Sequence, residues 1–432
     1  MSQFVITGNK KLSGEIMVNS SKNAATACII ASLINRGVTR LKNVPQIEEV
    51  NRLVEVLVSI GVSVDRSRRE LVIRTPKKFL LHKIDYSAAH KTRSIILAIG
   101  ALAGRVPSFK LPRVGGCKIG SRTINPHLFA LSEFGIKVGL TARNYEISIP
   151  SLKASEVVLY ETGDTVTENA LMAASQINGK SVIKMASANY MVQDLCAFLE
   201  KMGVQIKWVG SGSIQVQGKA RINKDITYQI SPDPIEAMMF LSIGIVTKSN
   251  ITIRRCPFDF LELELLKLEK MGLKYKILNK YKSKNKRNYL ADIKIYPSEL
   301  KALADKIHAM PFPGINQDNL PFFVPIATQA KGKTMIHDWT YENRAIYYSE
   351  LNRLGANVTL MDPHRVNIEG PTMLKATEMV CPPALRPAAI ILVAMLAAKG
   401  KSILRNVYPI HRGYERLEQR LGEIGADIRL EG

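Results

Sequence analysis

Disulfide patterns and long apolar segments are both missing from this sequence. Its 432 residues include only five cysteines, which are scattered and show no paired spacing. Such usage excludes a disulfide-built secreted scaffold and is typical of a reducing cytoplasm. The longest apolar run, AAIILVAMLAA at 388–398, is too short to span a bilayer, and the opening MSQFVITGNKKLSGE is too polar for a signal peptide. We therefore expect a cytoplasmic protein in which the 388–398 run forms a buried helix.

The common signatures of metal-dependent and nucleotide-dependent enzymes are also missing. No P-loop occurs, and the GSGS at 210–213 lies between two strand-like runs, which indicates a hairpin turn. The seven histidines lack zinc-ligand spacing, and no Cys-X-X-Cys is present. Local pattern identifies no Ser-His-Asp set. These absences argue against a metalloenzyme, a P-loop hydrolase and a Rossmann dehydrogenase, and we expect neither a metal nor an organic cofactor.

Acidic residues are few relative to basic ones. The chain has 60 Lys and Arg against 37 Asp and Glu, which gives a formal net charge of +23. That excess favours anionic partners, such as nucleic acid, acidic membranes or phosphorylated small molecules. Seven basic residues and no acid lie in KYKILNKYKSKNKR at 274–287. We interpret this cluster as the solvated end of a hairpin; the alternative is a nucleic-acid contact in which Tyr275 and Tyr281 stack on bases.

One pattern recurs six times along the chain. Each copy has an amphipathic helical stretch with apolar residues three and four apart, then a glycine, then alternating β-type residues. Glycine suits a helix end because the position just past the last turn commonly takes a left-handed conformation. The six glycines are Gly61, Gly135, Gly203, Gly272, Gly355 and Gly425.

A second kind of helix start recurs at NSSKNAATACIIASLI, GDTVTENALMAAS, SPDPIEAMMFLSIGI and LRPAAIILVAMLAAKG. In the third of these, Asp233 suits the N-cap, Pro234 the first helical position and Glu236 the third. The regular spacing predicts six copies of one α+β unit, each burying its helix face against its neighbours. We expect an α/β chain of two similar domains, with three units in each and a boundary near residue 230.

Two segments in the first half have the composition of anion sites. In VNSSKNAA the serines are cap candidates, so Lys22 and Asn23 fall in the first helical turn. A lysine is unfavourable at the positive end of a helix unless an anion joins it, which favours an anion site over a plain capped helix. In VGGCKIGSR at 114–122, the glycines permit converging backbone N–H groups, and the neighbouring cations favour a reactive thiolate at Cys117. The alternative for that loop is a flexible turn that holds an inert thiol.

The second half offers one acid and three arginines in comparable positions. INQDNLPFF places Asp318 just before an apolar run, while YENRAIYY, ALRPAA and IHRGYERL supply Arg344, Arg386 and Arg412. We expect each arginine at a junction between a turn and a helix, where a guanidinium can bind phosphate or carboxylate through two hydrogen bonds. A local cap or ion pair is the alternative for each.

Eight of these segments occur together, in order, in one family. They are SSKNAA, GGCKIGSR, TENALMAA, PDPIEA, INQD, YENR, LRPAA and HRGYE. With them the chain, over almost its whole length, resembles the family of UDP-N-acetylglucosamine 1-carboxyvinyltransferases. The resemblance implies two inside-out α/β barrel domains, each of three repeated βαβαββ-type units, with a cleft between them. It implies residues 22–230 for one domain, and 1–21 with 231–432 for the other.

The resemblance also implies a reaction. The 3′-hydroxyl of the sugar attacks C2 of phosphoenolpyruvate and C3 takes a proton; the tetrahedral intermediate then loses phosphate together with a proton from C3, which gives the enolpyruvyl ether. By motif, Asp318 is expected to be the general base. Cys117 matches the proton donor of the family, which also forms a covalent adduct with phosphoenolpyruvate and is alkylated by the antibiotic fosfomycin. Lys22 and Arg412 complete the expected catalytic set.

The resemblance assigns binding residues for both substrates. We do not expect a nucleic-acid partner, and the short apolar runs predict no membrane span. For phosphoenolpyruvate they are Lys22, Asn23, Arg122, Arg344, Arg386 and Arg412. For the sugar nucleotide they are Asn23, Arg93, Arg122, Thr123, Ile124, Asn125, Pro126, Thr162, Gly163, Asp164, Thr165, Asp318 and Thr340.

Several positions on the sugar-nucleotide side depart from the family pattern. They are Glu48, Glu49, Gly163-Asp164-Thr165, the segment SANYMVQD with Asn189, Asn125 and His411. Among these, Asp164 is expected to add a negative charge near the substrate phosphates. Two alternatives therefore stay open: transfer to another acceptor, such as a different nucleotide sugar or 3-phosphoshikimate, or a basic, non-catalytic paralogue that binds nucleic acid.

Overall fold

The structure, a computed structural model, describes residues 2–113 and 123–432. Cys117 and Arg122 lie outside the described residues. The α-helices are Lys22–Ala31 (α1), Glu48–Ser59 (α2), Tyr86–His90 (α3), Ala98–Leu102 (α4), Asn125–Glu133 (α5), Asp164–Ala174 (α6), Tyr190–Lys201 (α7), Pro234–Val246 (α8), Glu262–Met271 (α9), Phe323–Ala327 (α10), Leu385–Ala397 (α11), Tyr408–His411 (α12) and Leu417–Glu423 (α13). Short 3-10 helices cover Ser32–Ile34, Leu81–Lys83, Ser94–Leu97, Phe258–Phe260, Leu320–Phe322 and Ala345–Leu354.

The β-strands are mostly short. They are Gln3–Thr7 (β1), Ser13–Met17 (β2), Val38–Lys42 (β3), Ser63–Ser67 (β4), Glu70–Arg74 (β5), Ser108–Pro112 (β6), Lys137–Leu140 (β7), Asn144–Ser148 (β8), Glu156–Val158 (β9), Gly179–Lys184 (β10), Gln205–Val209 (β11), Ser213–Gly218 (β12), Ile226–Gln229 (β13), Asn250–Pro257 (β14), Lys274–Lys282 (β15), Tyr289–Tyr296 (β16), Ile307–His308 (β17), Gly332–His337 (β18), Asn357–Asp362 (β19), Arg365–Gly370 (β20), Glu378–Val380 (β21), Lys401–Arg405 (β22) and Asp427–Glu431 (β23).

The described residues form two compact units. The first unit comprises 20–113 and 123–231, and the second comprises 2–19 and 232–432. Each contains three small sheets, in the orders β13-β3-β5-β4, β6-β8-β7 and β11-β12-β10-β9 for the first unit and β15-β16-β14-β2, β17-β18-β20-β19 and β21-β22-β1-β23 for the second. The predicted six copies of one α+β unit are confirmed.

Both units bury helices between their sheets. In the first unit α1 packs on α7, and α6 packs on α4 and α7; in the second, α8, α10 and α11 pack on one another. All thirteen residues of α8 are buried, and so is the predicted helix α11 from its second residue to Leu396. Helices that are apolar all round can be stable only inside a protein, so their sequences place them at the centre and the sheets outside.

The helix ends follow local signals that the sequence displays. All six repeat glycines have positive φ, between 85° and 109°. The Ser21 hydroxyl accepts a hydrogen bond from the backbone N–H of Ala24 at α1, and the Asp233 carboxylate accepts one from Ile235 at α8. Before Gly355, however, the structure has a 3-10 helix rather than an α-helix.

The basic cluster at 274–287 occupies strand β15 and the turn to β16, which confirms the predicted hairpin. The ammonium of Lys280 lies over the rings of Phe258, at 4.1 Å, and Tyr289, at 5.1 Å. The GSGS segment likewise joins β11 and β12 as a hairpin, as its sequence predicts. None of the helices in residues 2–113 and 123–432 has the length and hydropathy of a transmembrane helix.

Candidate active site

Three of the expected site residues meet in the second unit. Asp318 lies in the turn before the 3-10 helix Leu320–Phe322. Each oxygen of its carboxylate accepts a hydrogen bond from a different arginine. Nη1 of Arg344 is 3.4 Å from Oδ1, and Nη2 of Arg386 is 3.2 Å from Oδ2. The side chain of Asp318 is 21% exposed, whereas those of Arg344 and Arg386 are 1% and 6% exposed. One reachable carboxylate is thus held by two buried cations.

Arg344 is fixed by a buried acid that the sequence did not identify. Asp338, which directly follows β18, accepts from Arg344 Nε at 2.5 Å and from Nη2 at 2.8 Å. The Tyr348 hydroxyl donates to the same carboxylate, and the Tyr341 ring lies 4.1 Å from the guanidinium carbon. Burial lowers the pKa of Arg344, but Tyr348 and Asp338 more than offset this and raise it above its usual value. Arg344 therefore stays charged.

Arg386 lies in the first turn of α11 and donates through Nη1 to the hydroxyl of Tyr414 at 2.7 Å. Burial is the main cause that raises the pKa of Tyr414, and Arg386 opposes it. Arg412 is two residues before Tyr414, at the C-terminal end of α12, so it lies at a junction where a helix precedes a turn. Thr340 lies in the turn after β18, two residues past Asp338.

In the first unit, Lys22 and Asn23 form the first turn of α1, as predicted. Nδ2 of Asn23 donates to the hydroxyl of Tyr190, the first residue of α7, at 3.1 Å. Glu168 of α6 is fully buried nearby. Burial and then the Asp164 carboxylate raise the pKa of Glu168 well above its usual range, and Lys22 opposes that shift. The N-terminal regions of α1, α6 and α7 thus share a polar cluster.

Hydrogen bonds connect the segments of the first unit that are expected to bind the sugar nucleotide. Nη2 of Arg93 donates to the carbonyl oxygen of Thr123 at 3.3 Å. His127 of α5 lies 3.4 Å from Oγ1 of Thr165 and 3.1 Å from Nδ2 of Asn169, both on α6. Burial, with a smaller contribution from Arg93, lowers the pKa of His127 to about 4, so the imidazole is neutral at pH 7. Ile124, Asn125 and Pro126 form the start of α5 between these links.

Two departures from the family pattern contact each other. Asp164 begins α6, and its carboxylate accepts from the Ser187 hydroxyl at 2.6 Å and from Nδ2 of Asn189 at 3.0 Å. Asn189 is also the N-cap of α7. The Asp164 carboxylate thus has two hydrogen-bond donors at the start of α7, and its expected effect on the substrate phosphates stays a prediction. Gly163 is the N-cap of α6 and Thr162 precedes it.

Glu48, Glu49 and His411, three further departures, have local partners. Glu48 forms an ion pair with Arg52 at 2.9 Å along α2. Glu49 is buried and accepts from the Thr92 hydroxyl at 2.5 Å, next to Arg93. The ring of His411 meets that of Phe4 edge-on at 5.5 Å.

The fold and the site define a class. A sequence model of the EPSP synthase (3-phosphoshikimate 1-carboxyvinyltransferase) family matches residues 6–421. The enolpyruvyl transferase NikO from Streptomyces tendae superposes with a TM-score of 0.87 at 21% identity, covering 100% of this chain and 99% of that one. An EPSP synthase from Acinetobacter baumannii superposes with a TM-score of 0.78 at 17% identity, covering both chains fully. The chain therefore has the carboxyvinyltransferase fold.

Curated relatives narrow that class. UDP-N-acetylglucosamine 1-carboxyvinyltransferase of Treponema denticola is 34% identical, over 100% of this chain and 99% of the relative. Those of Bradyrhizobium diazoefficiens and Treponema pallidum are each 32% identical, over 99% and 100% of this chain and 97% and 100% of the relatives. The chain belongs to the family of UDP-N-acetylglucosamine 1-carboxyvinyltransferases.

Proposed function

We propose that this protein transfers the enolpyruvyl group of phosphoenolpyruvate to the 3′-hydroxyl of UDP-N-acetylglucosamine and releases phosphate. This is the first committed step of peptidoglycan synthesis, carried out in the cytoplasm. Relatives of that name, at 32% to 34% identity over almost the whole chain, support the proposal most directly. The ion pairs of Asp318 with Arg344 and Arg386 also support the proposal, because they place a carboxylate base beside two cations that can bind an anionic substrate.

The second unit supplies the general base and the cations for the carboxylate. Asp318 takes the proton of the attacking hydroxyl, a role that needs an ionised and accessible carboxylate. Arg344 and Arg386 bind the carboxylate of phosphoenolpyruvate from a largely buried position, where fixed cations act strongly on an anion. In this proposal the phosphate is assigned to Arg412, which is two residues before Tyr414, and also to Lys22 and Arg122.

The first unit supplies the remaining contacts. Lys22 and Asn23 present a cation and an amide at the positive end of α1, which suits a phosphate. The N-terminus of α6, from Thr162 to Thr165, offers backbone N–H groups to the diphosphate, and segment 123–126 lines the uridine. Cys117 donates the proton to C3. Asn23, Arg93, Asp318 and Thr340 complete the sugar-nucleotide contacts.

A phosphate-release assay with a panel of acceptors tests the proposal. We expect release when phosphoenolpyruvate is supplied with UDP-N-acetylglucosamine, and none with phosphoenolpyruvate alone. 3-Phosphoshikimate and UDP-glucose serve as comparison acceptors. Release with a comparison acceptor and none with UDP-N-acetylglucosamine would refute the acceptor and keep the reaction class.

Replacing Cys117 by aspartate is expected to retain transfer and abolish alkylation by fosfomycin. A carboxyl group can still donate a proton, but it lacks the nucleophilic thiolate that opens the epoxide. Intact-protein mass spectrometry after incubation with fosfomycin checks this result.

Cys381→Ser is the matched control for that experiment. Cys28, Cys196, Cys256 and Cys381 are all buried. Burial raises the pKa of Cys381 to about 12, so almost no thiolate exists there at neutral pH. The Cys381→Ser protein should still gain one adduct. An adduct on the Cys117→Asp protein would show that the reactive thiol is elsewhere.

A further inference from the structure

The hydrogen bonds from Arg344 and Arg386 to Asp318 are longer than those that the two arginines form with their other side-chain partners. Their contacts with Asp318 are 3.4 Å and 3.2 Å. Arg344 is bound to Asp338 at 2.5 Å and 2.8 Å, and Arg386 donates to the Tyr414 hydroxyl at 2.7 Å. Since charge-assisted hydrogen bonds are strongest near 2.7–2.9 Å, the contacts with Asp318 are the ones that can be exchanged while both guanidiniums stay in place.

The donors of Arg344 are almost fully engaged. A guanidinium has five N–H donors. Nε and one N–H of Nη2 bind Asp338, and the second N–H of Nη2 binds the carbonyl oxygen of Gln317 at 2.6 Å. Only Nη1 is directed to Asp318. A substrate anion that approaches Arg344 must therefore use the same nitrogen that now holds Asp318.

Asp338 is the reason why only Nη1 of Arg344 is available to a substrate anion. Its carboxylate is fully buried and accepts from Nε and Nη2 of Arg344, so this edge of the guanidinium already holds a carboxylate through two hydrogen bonds. For Arg344 the alternative of a local ion pair thus holds at this edge, and Arg344 offers an incoming carboxylate its Nη1 side only.

We propose that the carboxylate of phosphoenolpyruvate and the side chain of Asp318 compete for Arg344 and Arg386, so that binding of this substrate releases the base from both cations. The inference rests on the proposed function and deepens it. One carboxylate replaces the other, so the two buried guanidiniums remain compensated. Once released, Asp318 is a better proton acceptor, because nearby cations favour the ionised carboxylate. The proton of the sugar hydroxyl then moves to Asp318 only when phosphoenolpyruvate is present.

Affinity for phosphoenolpyruvate tests the competition without any need for turnover. Asp318→Asn removes the competing charge and keeps the size of the side chain, so we expect it to bind phosphoenolpyruvate about tenfold more tightly, with inorganic phosphate unaffected. Equilibrium dialysis without acceptor measures both affinities, in a Cys117→Ser background that prevents covalent capture. The affinity of Asp318→Ala for phosphoenolpyruvate should also rise, which would show that the effect does not depend on the amide of Asn.

Asp427→Asn, on the edge strand β23, is the control for a simple change in net charge and should leave both affinities unchanged. An unchanged or weaker affinity of the Asp318 variants for phosphoenolpyruvate would overturn the competition. So would an equal gain for inorganic phosphate, or the same gain in the control. Transfer activity of the unaltered protein is a separate measurement: its absence would refute the proposed function, whatever the affinities. If no variant binds phosphoenolpyruvate without acceptor, the competition is overturned, and the transfer assay alone decides the proposed function.

Discussion

Asp318→Asn is expected to lower kcat for enolpyruvyl transfer about a thousandfold. General-base catalysis contributes roughly 10²–10⁴ to a rate, and an amide cannot accept the proton of the sugar hydroxyl. Phosphate release at saturating concentrations of both substrates measures the loss. The variant should stay folded at the assay temperature, because the Asp318 side chain is partly exposed and Arg344 keeps its hydrogen bonds to Asp338.

The same variant thus combines a lower kcat with tighter binding of phosphoenolpyruvate, a combination that unfolding cannot produce. Asp427→Asn again serves as the matched charge control and should retain normal kcat. A kcat above one tenth of the normal value for Asp318→Asn would contradict the assignment of Asp318 as the base.

Asp338→Ala is expected to lower the free energy of unfolding by about 3–5 kcal/mol. The change leaves the guanidinium of Arg344 buried without its closest acid, and breaking a buried pair from one side has a cost of this size. Tyr348 also loses the acceptor for its hydroxyl. Urea denaturation followed by circular dichroism measures the difference.

Two further variants separate charge from packing at this position. Tyr348→Phe removes one hydrogen bond and keeps the ring, so we expect a smaller loss of about 1.5–3 kcal/mol. The double replacement Asp338→Leu with Arg344→Met removes both charges together. It should recover most of the stability, because apolar residues of similar volume often replace a buried pair without net cost, while transfer activity stays low. A loss below 1 kcal/mol for Asp338→Ala would show that the pair contributes little.

The repeated fold could be predicted from the sequence because its signals are local. A glycine after each amphipathic helix fixes the helix end, and alternating residues after it indicate a strand. Helices α8 and α11 are apolar on every side, which already predicts their central position. The change to a 3-10 helix before Gly355 was missed because the amphipathic spacing there does not distinguish the two helix types.

The site could be predicted only in part. Asp318, Arg344 and Arg386 are far apart in the chain, and the structure brings them together through the packing of α10 and α11. Asp338 was missed, although it lies six residues before Arg344 in the same turn and burial is what makes it important. The contact of Asp164 with Asn189 was missed because it depends on how α6 and α7 pack. The roles of Cys117 and Arg122 stay predictions.

The product of the reaction is the most direct test of the central claim. The protein is incubated with phosphoenolpyruvate and UDP-N-acetylglucosamine, and the nucleotide sugar is then examined by proton and carbon NMR. We predict one phosphate released for each sugar nucleotide consumed, and a product that carries two vinyl protons on an enolpyruvyl ether at the 3′-oxygen. An unmodified sugar nucleotide after prolonged incubation, or attachment at another oxygen, would contradict the account.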